Sequence, residues 1–180
     1  MNAPLFFIAL LPDEGIQQEI TRFKEYAARH FRSSRALRSP PHITLIPPFR
    51  WPEARAVELD AALESFVLKE QPFDLGLQNF NCFAPRVIFV DVERTTELQA
   101  LQYRLETCLT EELGLEAKSR RDFNPHVTVA FKDLHRKVFP EAWAYFSRLN
   151  YERVVQVQAL ALLEHTGKRW EVRREFGFGE

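Results

Sequence analysis

Residues 39–49, SPPHITLIPPF, and residues 123–131, FNPHVTVAF, contain the same order: Pro, His, a β-branched apolar residue, Thr, then another apolar residue. The histidines, His42 and His126, are 84 positions apart, nearly half of the 180-residue chain. On a strand, successive side chains point to opposite faces. His42 and Thr44 therefore share one face, and Ile43 and Leu45 share the other. His126 and Thr128 are set against Val127 and Val129 in the same way. The apolar face belongs in a core, which leaves the polar pair facing a cleft. Residues i and i+2 stand about 7 Å apart. That spacing suits an imidazole addressing one oxygen of a phosphate while a hydroxyl donates to another. Either copy alone reads as an ordinary half-buried strand. The repetition is what points to a phosphoester-cleaving site built from two matched halves.

The surrounding pattern predicts β-α-β-α-β-β-α-β-α-β-β. Residues 4–11, PLFFIALL, read as a core strand. Pro12-Asp13-Glu14 opens a helix to about residue 30, with Ile16, Ile20, Phe23 and Ala27 at helical spacing. The first His-Thr strand covers 42–47, and a helix follows at about 53–68. Residues 72–92 read as a hairpin turning near Ala84-Pro85. The clearest helix is 95–113, with Leu98, Leu101, Leu105, Cys108, Leu109 and Leu113 in one stripe and Gly114 as its C-cap. The second His-Thr strand covers 126–131, and a helix follows near 138–149. Two strands, 153–164 and 169–176, close the pattern around the turn HTGK. A helix precedes and another follows each His-Thr strand. The expected fold class is therefore α+β, one domain over 1–180, with two pseudo-symmetric lobes of antiparallel sheet plus helices around a central cleft.

The formal net charge is −1, so no global field draws in a polyanion, and any phosphate binding must come from local patches. Two such patches exist: Arg29, Arg32, Arg35 and Arg38 before His42, and Lys118, Arg120 and Arg121 before His126. Arg38 and Arg121 are the basic candidates for substrate contact. Cys82 and Cys108 follow no metal or redox spacing and read as thiols of a reducing compartment. The apolar run at residues 4–11 is too short to span a bilayer and has no basic segment before it. The expectation is a soluble cytoplasmic monomer. His30 at a helix end, His135 in a polar loop and His165 in a turn read as surface residues. A metal site would need a third ligand beside His42 and His126; Asp91 and Asp122 are the candidates, and nothing in the sequence places them nearby.

These residues give the chain a resemblance to a known family. It resembles the two-histidine phosphoesterases, in their 2'-5' RNA ligase-like, RNA 2',3'-cyclic phosphodiesterase branch. PPHITL and NPHVTV look like that family's paired His-x-Thr/Ser-x motifs. LFFIALLPDE looks like its opening strand, FDLGLQNFNCFAPRVIFVDV like its central hairpin, and LALLEHTGKRWEV like its closing strand pair, with Gly167 at the turn. The resemblance implies His42 as the acid that protonates the leaving ribose oxygen and His126 as the base on water. It implies Thr44 and Thr128 as phosphate holders, Arg121 as a basic substrate contact, and no cofactor. Lys132, in AFKD, stands one place from where many members carry Arg. It offers a point charge in place of a bidentate fork. The Pro-rich IPPFRW departs from the commoner pattern and is expected to reshape a base pocket around Phe49 and Trp51.

The expected activity is metal-independent hydrolysis of 2',3'-cyclic phosphate ends of RNA or nucleotides, with weak reverse 2'-5' ligation. The rivals are a 2'-5' oligonucleotide phosphodiesterase and a non-catalytic nucleotide- or RNA-binding module on the same fold. Pure binding does not require two titrating imidazoles.

Overall fold

The strands are β1 (Leu5–Leu10), β2 (Ile43–Arg50), β3 (Phe73–Phe83), β4 (Val87–Val92), β5 (His126–Ala130), β6 (Glu152–Val157), β7 (Ala159–His165) and β8 (Trp170–Gly177). The helices are α1 (Glu14–Phe31), α2 (Ala56–Val67), α3 (Thr96–Leu113) and α4 (Phe139–Phe146). This computed structural model describes residues 3–115 and 123–179. The strands form two antiparallel four-stranded sheets, ordered β2-β1-β7-β8 and β5-β4-β3-β6.

The two halves repeat one unit. In β1-α1-β2 and in β4-α3-β5, a helix links two strands that pair antiparallel, and the His-Thr strand lies at the sheet edge. The helices are exchanged between the halves. α1 packs against β5 of the other sheet, and α3 packs against β2. Gln102 of α3 donates from Nε2 to the Leu45 carbonyl of β2, at 3.5 Å. The edges β2 and β5 also touch each other. One apolar cluster therefore runs through both halves, from Ile8, Ile43 and Leu45 to Val90, Val127 and Val129.

Both long helices start and stop where their sequences dictate. Asp13 caps α1 by accepting from the Ile16 amide, and Thr95 caps α3 by accepting from the Leu98 amide, each at 3.1 Å. α3 ends at Gly114 in the left-handed region, φ 65°. The expected strand 153–164 is in fact two strands. β6 belongs to the second sheet and β7 to the first, with Gln158 between them. β6 is an edge strand, and of its side chains only Val155 and Val157 are buried. β7 is central in its sheet and is buried continuously from Leu160 to Leu163. One apolar-rich run thus serves two sheets in succession.

Candidate active site

His42 lies one residue ahead of β2, and its ring is fixed from behind. Nδ1 is 2.7 Å from the Pro40 carbonyl. A carbonyl only accepts, so Nδ1–H donates and the neutral ring keeps its lone pair on Nε2. His126 repeats the arrangement, with Nδ1 donating to the Asn124 carbonyl at 2.7 Å. The acceptor is two residues before the histidine in both cases, with Pro41 or Pro125 between. A proline fixes its own φ and restricts the residue before it to extended backbone. The repeated proline thus helps hold the carbonyl that sets the tautomer.

Both rings open on one cavity of about 460 Å³ between the sheets. Thr44 and Thr128 line it with them, as do Arg35, Arg38 and Lys132. Thr44 sits across from Ala9 on β1, and Thr128 across from Phe89 on β4. Aromatic rings form the walls. His42 lies 4.7 Å from Phe7, which meets Trp170 edge-on at 4.6 Å. His126 lies 5.3 Å from Phe83 and 5.0 Å from Phe89. Phe83 is 39% exposed at the cleft, an unusual cost for a large apolar ring unless something flat covers it.

The electrostatics distinguish the two histidines. Burial holds the pKa of His42 down at about 4, and the charges of Lys24 and His126 push the same way. Burial also lowers the pKa of His126, but Asp91 opposes that shift. Asp91 stands directly across from His126 on β4. A second cavity, about 620 Å³ at the start of α1 and the β6–β7 junction, is lined by Asp13, Glu14, Asp74 and Glu175. Its charge is wrong for a phosphate.

Six of the eight residues expected from the sequence meet in the cleft: His42, Thr44, His126, Thr128, Arg38 and Lys132. Phe49 does not join them. It stands across from Phe6, whose ring lies in the core, and residues opposed across an antiparallel pair share a face. Trp51 is buried as well, donating from Nε1 to the Arg55 carbonyl at 2.8 Å beneath the Arg55 guanidinium. Pro48 reaches the cleft in their place. Arg121 lies outside the described residues, as do Lys118, Arg120 and Asp122. His165, expected at the surface, ends β7 and lines the cavity beside Trp170, with ring centroids 4.9 Å apart. A signal was available in the sequence: pairing across the HTGK turn places His165 opposite Trp170 on one face. Phe83, Phe131 and Arg35 were also missed as cleft residues. Both cysteines are free and partly buried. Among the described residues, no three His, Cys, Asp or Glu side chains converge as metal ligands would, and no helix is long and apolar enough to cross a membrane.

Comparison with known proteins bears on the family and the fold. The family model described as "2'-5' RNA ligase superfamily" matches residues 12–169. A Bacillus pumilus protein provisionally named a phosphoesterase is 32% identical over 146 residues, covering 78% of this chain and 81% of its own. A similarly named Geobacillus protein is 27% identical over 177 residues, covering 96% and 95%. Among solved structures, TT0787 of Thermus thermophilus aligns with a TM-score of 0.73 at 21% identity, covering 98% of this chain and 99% of that one. E. coli LigT complexed with 3'-AMP aligns with a TM-score of 0.67 at 16% identity, with coverage of 98% and 99%. At these identities the two structures bear on the fold alone.

Proposed function

The chain belongs to the 2'-5' RNA ligase superfamily and is a phosphoesterase of the two-histidine kind, and from that premise we propose that it hydrolyses 2',3'-cyclic phosphate ends of RNA or nucleotides. The observation that carries the proposal is the matched anchoring of His42 and His126. Each has Nδ1 tied to a backbone carbonyl, and both line one cavity with a threonine beside each. Opening a cyclic phosphodiester needs a base on the attacking water and an acid on the leaving ribose oxygen. It also needs donors to the equatorial oxygens. Two imidazoles supply the first two without a metal. Thr44, Thr128, Arg38 and Lys132 supply the third, and Arg121 is their expected partner. The exposed Phe83 and the half-buried Trp170, which is backed by Phe7, offer flat apolar surface to a nucleobase. E. coli LigT has been crystallised with 3'-AMP, the kind of ligand such a cleft would take.

The charges around each ring bear on which is acid and which is base, although burial lowers the pKa of both. The resemblance casts His42 as acid and His126 as base. Lys24, behind the cleft, disfavours a cation on His42, and Asp91 favours one on His126. That supports the reverse: His42 accepts the proton of water and His126 donates to the leaving oxygen.

The test is turnover of 2',3'-cyclic AMP in EDTA. Wild type is expected to turn over. His42→Ala and His126→Ala should each lose at least about 10²-fold, and Thr44→Ala or Thr128→Ala about 10–10³-fold, with thermal midpoints nearly unchanged. Binding without turnover would select the non-catalytic module. Turnover of 2'-5' oligonucleotides alone would select that rival diesterase.

A further inference from the structure

Lys24 occupies a position where the apolar stripe of α1 calls for another aliphatic side chain. Ile16, Ile20, Ala27 and Phe31 of that stripe are buried, and Lys24 among them is 2% exposed. Its ammonium donates to the carbonyls of Ala36 and Ser39, at 3.1 and 3.0 Å. Burying an ammonium is unfavourable unless acceptors replace its water. Ala36 lies within the 3-10 turn Arg35–Arg38, and Ser39 is the extended residue that follows it.

The start of that turn is held by the opposite charge. Asp133 accepts from the Ser33 hydroxyl at 3.0 Å, the Ser34 amide at 2.8 Å and the Arg35 amide at 3.0 Å. A helical turn leaves N–H groups unpaired at its start and carbonyls unpaired at its end. Here a carboxylate takes the Ser34 and Arg35 amides at the start, and an ammonium takes the Ala36 carbonyl and that of Ser39 just beyond the turn. Asp133 comes from the segment after β5, in the other half of the molecule. Its neighbour Lys132 lines the cleft with φ 56°, a left-handed backbone that a lysine adopts only when its surroundings impose it. Between the two charges, the turn carries Arg35 and Arg38 into the cleft. It ends two residues before Pro40, the residue that orients His42.

We propose that Lys24 and Asp133 are positioning residues, a two-ended clamp that fixes the turn 35–38 and through it aims His42 and Arg38 at the substrate phosphate. The proposal rests on the phosphodiesterase reading for its functional consequence. Neither residue lines the cavity, so each acts through the turn. The clamp also joins the basic groups of both halves, because Asp133 sets the backbone beside Lys132 while it holds the backbone of Arg35.

The experiment uses the full chain carrying Lys24→Met, Asp133→Asn or both. Turnover of 2',3'-cyclic AMP should fall on the order of tenfold to hundredfold in each single variant, as misplacement of catalytic groups does. The double variant should fall little further, because releasing either end already frees the turn. Losses that multiply would overturn a shared clamp, and full activity in either single variant would remove that residue from it. Proton titration of the His42 and His126 rings by NMR gives a readout that does not depend on turnover. Lys24 and His126 act directly on His42, and Arg35, Arg38, Lys132 and His165 line the cavity it opens on. Lys24→Met should raise the His42 midpoint and leave that of His126 in place; equal shifts, or none, would mean that Lys24 does not act on His42. Should Lys24→Met fail to fold, Asp133→Asn decides alone. Faster amide exchange at Ser34 and Arg35 together with lost turnover supports the clamp, and unchanged exchange overturns it. If wild type turns over no cyclic nucleotide, the functional reading fails, while exchange and titration still decide whether the clamp exists.

Discussion

At the scale of single residues, the two histidines share a scaffold and differ in their electrical surroundings, and that difference is measurable. A general acid matters most when the leaving group is poor. If His126 protonates the leaving oxygen, His126→Ala should lose much of its defect on an aryl phosphodiester such as thymidine 5'-(p-nitrophenyl phosphate). His42→Ala should stay impaired on both substrates. The opposite pattern would return the roles to those implied by the resemblance. Buried bases also leave a mark on stability. His42 in the folded state takes its proton only near about 4, while an unfolded histidine takes it near 6.5. The unfolded state therefore binds more protons across that window, and stability must fall as pH drops from about 6.5 toward about 4. Lys24 adds a second window of the same sign. Burial holds its pKa at about 7 against an ordinary 10.5, so stability also falls as pH drops through that range. Urea midpoints at about pH 5, 7 and 9 should rise in that order; Lys24→Met should flatten the step from 7 to 9 and, by raising the His42 midpoint, shrink the step from 5 to 7.

At the scale of elements, much of the molecule was legible because period and punctuation agree. Asp13 and Thr95 announce their helices, Gly114 ends one, and the His-Thr strands alternate as the pleat requires. The part that was not legible depends on partners distant in sequence. Nothing local in residues 152–165 reports that the chain changes sheets at Gln158, because no Gly or Pro divides the two strands. Phe49 was misjudged for the same reason: its face is set by Phe6, more than forty residues earlier. Lys24 is buried because the turn 35–38 folds over it, which the sequence of α1 alone does not report. The paired histidines were legible because the chemistry is written twice. The cross-packing of α1 yields a direct prediction. Ile20 is fully buried in the cluster shared by both sheets, so Ile20→Ala should lower unfolding free energy by about 2–5 kcal/mol. The loss should register equally by Trp fluorescence and by far-ultraviolet circular dichroism. A loss confined to one probe would mean that α1 stabilises one sheet only.

At the scale of the whole molecule, exchanged helices make the two halves mutually dependent. Each sheet takes cover from a helix that begins on the other, so neither half owns a complete core. Heat should unfold the protein in one transition with equal calorimetric and van't Hoff enthalpies. Two resolved transitions would show that a half stands alone. The order of strands carries a further consequence for how the chain is made. β1 lies between β2 and β7, and Phe7 finds its partner Leu163 only when almost the whole chain is available. On the ribosome, β1 and β2 emerge early and wait as an apolar pair with one edge of β1 open. An open apolar edge is a template for another nascent chain. Chains truncated before Ala159 should therefore be chaperone clients and go to inclusion bodies in greater proportion than the 180-residue chain.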